Sequence, residues 1–372
     1  DPIITDANWR VRADPSWSGD SPLISRFHLE ACDRVDMRAF IRGWNTLAYD
    51  DSNWPAATPL LRNVGWPSPQ PNSTPQSLTP PWTSLHLRDV PYLHESEVLA
   101  TRLIEAVPLD TLAAQPGNSH PVIEALPTCD RLALSGKVAE GVANGLEGYV
   151  KGASPLTTPA ASSKDWFLVF DFGTVMNGRP MLTVEGSSGT VIDVMCTPYI
   201  LDGQFSAKIF DSELIDRVVL SGERDRWEAC YFKPTRYLGL VVRHADTPIR
   251  LHAVGVRRVQ YPFQMRGSLK TPEDPWYEEC WRAAAKTIQV CTTDAYTDNY
   301  RERRQYAQTG YYAALGNYYI YGDLALQRRY LIQVAQEQLA NGIMPAYAPL
   351  AADDYMIILD SNCLWIRGLR NF

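Results

Sequence analysis

The sequence has no long apolar run and no basic stripe, and each absence argues against a class of function. No stretch of 18 apolar residues occurs in the 372 residues, so we expect no membrane-spanning helix. Lys and Arg number 35 against 42 Asp and Glu, which gives a net charge of −7. We therefore expect no nucleic-acid partner, because no basic surface is available to neutralise phosphates.

Cysteine and histidine are also sparse, and their spacing is wrong for metal binding. The seven Cys are scattered without a Cys-x-x-Cys pair, and the six His include no His-Glu-x-x-His pattern. No glycine pattern of a nucleotide-binding loop is present either. We expect free, buried thiols and a function that uses neither a metal nor a cofactor.

The first two thirds of the chain carry β signals. Residues 1–160 combine turn signals with short apolar runs and predict an N-terminal β-sandwich accessory module, incomplete at its start. Six Pro between Pro67 and Pro81 predict an exposed, extended loop within it. Residues 161–264 contain short strands separated by turns and predict a second antiparallel sandwich, in which Gly186–Gly189 forms the turn of a hairpin.

The pattern becomes helical near residue 265. Thr271 as N-cap, with Pro272 in the first turn, predicts a helix whose apolar residues recur at helical spacing as far as Cys291. A second helix is predicted from a cap at Asp323 to the Asn341-Gly342 stop signal. Residues 265–372 thus predict the start of a truncated α-helical domain, and the fold class is multidomain β + α.

A segment of ten residues, Thr297–Tyr306, follows the first predicted helix. It contains an Asp, a Glu and three Arg, with two Tyr among them. Carboxylates beside Arg and aromatic rings suit a site that holds a sugar and cleaves a glycosidic bond, where one carboxyl must be protonated. Glu302 is the candidate acid: flanking Arg residues lower a carboxyl pKa, whereas burial beside rings raises it. A solvated, charged helix face is the alternative reading of this segment.

Other residues are candidates for binding the sugar. Asp298 could accept hydrogen bonds from sugar hydroxyls. Tyr306 could pack against a sugar face or simply in the core, and Tyr347 lies in a later loop that could face the same site. Asp360 is either a helix cap or a ligand contact, and Trp365 follows it in the last segment.

The chain resembles glycoside hydrolase family 78, the α-L-rhamnosidases. Two signatures carry the resemblance. One is the pattern of the β-sandwich, represented here by Phe170-Asp171-Phe172-Gly173, Trp227-Glu228 and Arg236-Tyr237. The other is the pattern of the catalytic loop, whose Asp and Arg-Glu-Arg correspond to Asp298 and Arg301-Glu302-Arg303.

The resemblance implies two jelly-roll-like β-sandwich modules followed by the first part of an (α/α)6 barrel. It also implies an inverting hydrolase that releases terminal α-L-rhamnose from a rhamnose-containing oligosaccharide, polysaccharide or glycoside, in a secreted or periplasmic setting. Glu302 becomes the general acid, and the general base is expected beyond Phe372. Together with the residues singled out above, the predicted substrate-binding set is Asp298, Arg301, Arg303, Tyr306, Asp360 and Trp365.

Two departures from the family pattern keep alternatives open. Asn299-Tyr300 replaces the family's Cys-Pro, with one residue deleted, and Thr309 stands where the pattern ends in Asp. The alternatives are a non-catalytic, lectin-like carbohydrate-binding relative, or another glycosidase or lyase on the same barrel.

Overall fold

The computed structural model describes residues 7–24, 30–58, 87–109, 132–159, 165–209, 212–299, 303–349 and 356–372. The Pro-rich loop predicted between Pro67 and Pro81 lies outside these ranges. The chain divides into two compact units: Asp1–Ser16 with Ala39–Asp89, and Trp17–Arg38 with Val90–Phe372.

The smaller unit is held by turns and a few backbone bonds in its described part. The Val11 N–H donates to the Pro55 carbonyl at 2.9 Å, and the Tyr49 and Trp54 rings meet edge to face at 5.6 Å. The Asp50 carboxylate accepts the Ser52 N–H at 3.0 Å. An acceptor placed two residues before a donor is the usual way in which Asp starts a turn.

Strands dominate the larger unit as far as residue 260. Its described elements there are β1 Arg34–Asp36, a 3-10 turn at Met37–Ala39, β2 His94–Leu99, β3 Leu103–Leu109, β4 Leu132–Ala133, α1 Glu140–Val150, β5 Leu156–Thr158, β6 Asp165–Glu185, β7 Val191–Thr197, β8 Gln204–Phe205, β9 Lys208–Ile209, β10 Ser212–Glu213, β11 Ile215–Val219, β12 Arg224–Glu228, β13 Lys233–Arg243 and β14 Ile249–Gln260.

The main sheet has the order β1-β11-β7-β13-β6-β14-β2, and β3 and β12 also pair with β6 while β5 pairs with β14. All these pairs are antiparallel except β1 with β11, which is parallel. Strands from both sides of residue 160 share this sheet. The predicted module boundary at that residue stays a prediction.

The hairpin predicted around Gly186–Gly189 is wrong. The turn does join β6 to β7, but β13 lies between the two strands and pairs with both of them. Leu240, for example, faces Leu168 on β6 and Val194 on β7. Apolar alternation identifies strands, whereas the pairing partner depends on residues far away in the chain.

Strand β6 passes through a glycine in an unusual backbone conformation. Gly173 has φ +76°, a left-handed conformation that side-chain-bearing residues rarely adopt, and its N–H bonds to the Asp171 carboxylate at 2.8 Å. The strand therefore bends at this point and continues to Glu185. The strand is 21 residues long.

The sandwich core is largely apolar and includes a buried polar cluster around Lys233. One of its apolar clusters is made of Leu132, Phe167, Val169, Met195, Phe205, Ala207, Ile215 and Val241. In the polar cluster the fully buried Lys233 ammonium lies 2.9 Å from the Asp216 carboxylate. Asp33 joins the pair: its N–H donates to Asp216 at 2.8 Å, and its own carboxylate accepts the Cys230 N–H at 2.9 Å.

After residue 260 the described elements are the helices α2 Pro275–Val290, α3 Ala307–Ile320, α4 Ala325–Gln336 and α5 Leu359–Asn371. No helix in the described ranges is long and apolar enough to cross a membrane. The Tyr330 hydroxyl donates to the Ala307 carbonyl at 2.7 Å, and the Tyr330 ring fills the space above Gly310. This contact fixes α4 against the first turn of α3.

The first helix begins later than predicted. Asp274, not Thr271, is the N-cap, because its carboxylate accepts the Trp276 N–H at 3.1 Å and Pro275 occupies the first helical position. Thr271 instead forms the preceding turn, with its hydroxyl on the Asp274 carbonyl at 2.8 Å. Cys280, expected to be buried in this helix, is exposed.

Candidate active site

The Thr297–Tyr306 segment connects α2 to α3, and the structure describes its two ends. Arg301 and Glu302 lie outside the described residues, so their predicted roles stay predictions. At the first end the Thr297 N–H donates to the Cys291 carbonyl at 3.0 Å, and a one-residue bridge pairs Thr292 with Tyr296. The chain thus folds back on the end of α2 before it reaches Asp298.

Asp298 is half-buried near Cys291 and Arg303. Burial raises the pKa of the Cys291 thiol to about 11, and the Asp298 charge adds to that rise. A carboxylate that is only partly buried leaves oxygen atoms open to accept hydrogen bonds from a ligand. This position suits the predicted contact with sugar hydroxyls, which stays a prediction.

Arg303 is turned inwards. Its side chain is 8% exposed, its guanidinium stacks on the Phe232 ring at 4.5 Å, and it donates to the Phe232 carbonyl. Further bonds run to the Asn299 carbonyl at 3.4 Å and to the Glu30 carboxylate at 3.5 Å. Burial lowers the pKa of Arg303, and the Glu30 charge opposes that effect.

These contacts connect Arg303 to the strand region before β13 and to the segment before β1. The described geometry gives the side chain a structural role, because it ties the start of α3 to the sandwich and closes the ends of the segment between Asn299 and Arg303. The predicted sugar contact of Arg303 is not among its described interactions and stays a prediction.

Arg304, Gln305 and Tyr306 pair with a second segment, Ala346–Ala348. The Tyr306 and Tyr347 rings lie 5.3 Å apart at 53°, and the Arg304 guanidinium lies 4.8 Å from the Tyr347 ring centre. The Gln305 side-chain amide donates to the Ala348 carbonyl at 2.9 Å. The structure therefore places the later loop that contains Tyr347 next to the predicted site.

Tyr306 also sets the start of α3. It occupies the N-cap position in an extended conformation, and its carbonyl accepts the Gly310 N–H at 2.9 Å. Its side chain is only half-buried, whereas Tyr347 is 1% exposed. A half-exposed ring at a helix start, with a cation and a second ring behind it, is the kind of surface on which a sugar can pack.

Asp360 and Trp365 lie on α5. Asp360 is exposed in the first turn, two residues after the N-cap, Ile358; it is therefore not the cap, although a negative charge there suits the helix dipole. The Trp365 indole N–H donates to the Leu331 carbonyl at 3.1 Å, and its ring packs on the core cluster of α3 and α4. Neither contact tests a sugar-binding role.

Sequence reasoning missed Asn362, which fixes the loop before α5. Its side-chain carbonyl accepts the Met344 N–H at 2.8 Å, and its amide donates to the Met344 carbonyl at 2.9 Å. A lone Asn inside a helix gives no signal of such a role, because its partner is eighteen positions away.

In the described ranges no group of three or more His, Cys, Asp or Glu could hold a metal ion.

Two family models match the chain. Residues 162–257 match the bacterial α-L-rhamnosidase concanavalin-like domain, and residues 264–366 match the bacterial α-L-rhamnosidase six-hairpin glycosidase domain. The first match covers the strands from β6 to most of β14, and the second covers α2–α4 and part of α5. The predicted β + α multidomain fold is confirmed.

Solved structures of similar fold belong to the same group. The GH78 family rhamnosidase of Bacillus sp. GL1 has a TM-score of 0.75 at 18% identity, over 98% of this chain and 54% of that one. A rhamnosidase from Klebsiella oxytoca with rhamnose bound has a TM-score of 0.53 at 16% identity, over 76% of this chain and 52% of that one.

The α-L-rhamnosidase of Dictyoglumus thermophilum has a TM-score of 0.52 at 14% identity, over 91% of this chain and 30% of that one. No curated protein sequence matches the chain. The chain thus spans about half or less of the length of these solved structures.

Proposed function

Because the chain belongs to glycoside hydrolase family 78, the α-L-rhamnosidases, we propose that the full-length protein hydrolyses terminal α-L-rhamnosyl groups from a glycan or glycoside. The observation that carries this proposal is the succession of the two rhamnosidase domain matches, 162–257 and 264–366, along one chain. The Klebsiella oxytoca relative, which has rhamnose bound, supports the choice of sugar.

The proposed reaction is a single displacement with inversion. Glu302 gives a proton to the leaving glycosidic oxygen, and a second carboxylate takes a proton from the attacking water. Asp298 accepts hydrogen bonds from sugar hydroxyls, and the exposed side of Tyr306 packs on the sugar ring. Arg301 joins them as a hydroxyl ligand. A secreted or periplasmic location goes with this proposal, because polymeric glycans are met outside the cytoplasm.

The site's described surroundings support these roles. The start of α3 is fixed from two sides, by Arg303 on Phe232 and by the pairing of Gln305 with Ala348. A catalytic acid needs such support, because small displacements of a reacting group reduce the rate strongly.

The test is rhamnose release from an aryl α-L-rhamnoside by the full-length protein. We expect the wild type to release rhamnose and Glu302→Gln to lower kcat by at least a hundredfold, because general acid catalysis contributes about that much to the rate. Glu279→Gln is the control and should leave kcat unchanged, because Glu279 is an exposed residue on α2. Full activity of Glu302→Gln would remove Glu302 from the mechanism, and no release by the wild type would contradict the proposed activity.

A lectin-like function is the second candidate, and one observation favours it. Thr309 stands in the first turn of α3, where the family pattern has Asp, so a sugar contact of that pattern is missing. If rhamnose binds to the full-length protein in calorimetry while no hydrolysis is measurable over days, this second function replaces the first.

A further inference from the structure

A cavity of about 460 Å³ lies between α2 and the segment that leads into it from β14. Its lining is Phe263, Met265, Gly267, Ser268, Leu269, Lys270, Glu278, Trp281, Arg282, Ala285, Lys286, Gln289 and Tyr321. None of these residues belongs to the candidate active site. The volume is within the range of small-ligand pockets and fits one or two sugar rings.

One face of α2 forms the floor of this cavity. Glu278, Trp281, Arg282, Lys286 and Gln289 recur at intervals of three and four residues, so their side chains project from the same side of the helix. Helical spacing thus brings an aromatic ring, two cations and an amide together.

The opposite wall is fixed by hydrogen bonds and close packing. The Gly267 N–H donates to the Ile320 carbonyl at 2.8 Å, and a Cβ on Gly267 would lie 1.8 Å from the Tyr319 carbonyl oxygen, so only glycine fits there. The Phe263 ring stacks on Tyr321 at 4.3 Å with an interplanar angle of 11°. The cavity is therefore formed before any ligand enters it.

The cavity carries a positive charge that its own lining leaves uncompensated. Lys270, Arg282 and Lys286 face one carboxylate among the lining residues, and that carboxylate, Glu278, accepts the Thr271 N–H at 2.9 Å. This excess contrasts with the net charge of −7 of the whole chain.

Lys286 is the clearest case of a cation without a counter-ion. It is half-buried, and among the described residues it has neither an ion pair nor a hydrogen bond. Burial lowers its pKa, and the nearby positive charge of Arg258 lowers it further. Arg258 itself bonds to the Ser96 hydroxyl at 3.2 Å. A ligand carboxylate at this point would supply the missing negative charge.

We propose that this cavity is an accessory saccharide site that binds a carboxylate-bearing sugar, a uronic acid residue. Lys286 pairs with the carboxylate, Arg282 and Gln289 bond to its oxygens or to neighbouring hydroxyls, and Trp281 packs against the ring. The choice of a saccharide rests on the proposed function. The choice of a carboxylate rests on the uncompensated cations alone.

The test measures binding of D-glucuronate and of neutral D-glucose to the full-length protein by calorimetry or ligand-observed NMR. We expect glucuronate to bind at least tenfold more tightly than glucose, and Lys286→Met to weaken glucuronate binding about tenfold. Lys151→Met is the matched control, because Lys151 is an exposed lysine at the C-cap of α1, paired with Glu147; it should change nothing. Trp281→Phe should weaken both sugars.

Three results would overturn the proposal: equal or absent binding of the two sugars, unchanged binding by Lys286→Met, or sulfate binding as tight as glucuronate. The aryl rhamnoside reports separately on the proposed function, because Lys286→Met should leave its hydrolysis unchanged. If the wild type binds glucuronate but releases no rhamnose, the proposed hydrolase activity is rejected and the proposed saccharide site in the cavity is retained.

Discussion

Replacement of Arg303 by Met tests the structural role of this residue. Met keeps an apolar stem of similar length but removes the guanidinium that stacks on the Phe232 ring at 4.5 Å and bonds to the Phe232 carbonyl. A hydrogen bond from a charged donor contributes about 1.5–3 kcal/mol, and a cation over a ring about 1 kcal/mol. Loss of the desolvation penalty of the buried charge offsets part of this sum. We expect a net decrease of about 2 kcal/mol in the free energy of unfolding.

The measurement is urea unfolding of the full-length protein, followed by tryptophan fluorescence. Arg303→Lys should lie between the wild type and Arg303→Met, because Lys retains the charge without the planar fork. Arg38→Met is the control: its ion pair with Asp36 is solvent-exposed, and such pairs add little to stability.

A direct sugar contact predicts a different outcome for Arg303. An Arg303→Met variant as stable as Arg38→Met, with a raised KM for the rhamnoside, would refute the structural role and favour the sugar contact predicted from the sequence. A loss of stability with an unchanged KM would support the structural role.

Three further predictions concern stability. Burial raises the pKa of Asp33 to about 7, so this group favours folding below about pH 4 and loses that contribution as the pH rises to 7. Asp33→Asn should therefore raise the free energy of unfolding at pH 8 by an amount on the order of 2 kcal/mol. In thermal unfolding, the same variant should show a weaker dependence of stability on pH between 4 and 7. Gly310→Ala should lower stability by about 2 kcal/mol, because its Cβ would lie 2.5 Å from the Tyr330 ring; a midpoint equal to that of the wild type would contradict this packing. Asp274→Ala removes the N-cap bond to Trp276 and should lower the free energy of unfolding by about 1 kcal/mol in denaturant titrations.

Local patterns in the sequence predicted much of the fold. Short strands separated by turns predicted the β region of residues 161–264, and helical spacing located α2. The elements that the sequence did not predict depend on contacts with residues distant in the chain. Helix α1 contains three Gly and reads as a loop; it is stabilised by burial of Val142 and of Tyr149, whose hydroxyl accepts the Val254 N–H at 2.9 Å. The parallel pairing of β1 with β11 joins segments about 180 residues apart.

In the candidate site, too, local features could be predicted from the sequence and long-range contacts could not. Its location at the start of a helix could be predicted from charge, aromatic content and the resemblance to the rhamnosidases. The direction of each side chain could not, because Arg303 is oriented by Phe232, seventy-one residues earlier, and Tyr306 by Tyr347. Gln305 carried no special signal in the sequence, yet it is buried in the segment.

The central claim, that the full-length protein is an inverting α-L-rhamnosidase, is tested most directly by the anomeric form of the released sugar. Proton NMR of the first minutes of hydrolysis of an aryl α-L-rhamnoside should show β-L-rhamnose, which then mutarotates to the equilibrium mixture. Release of α-L-rhamnose as the first product would contradict the single displacement. Absence of rhamnose release would contradict the activity itself.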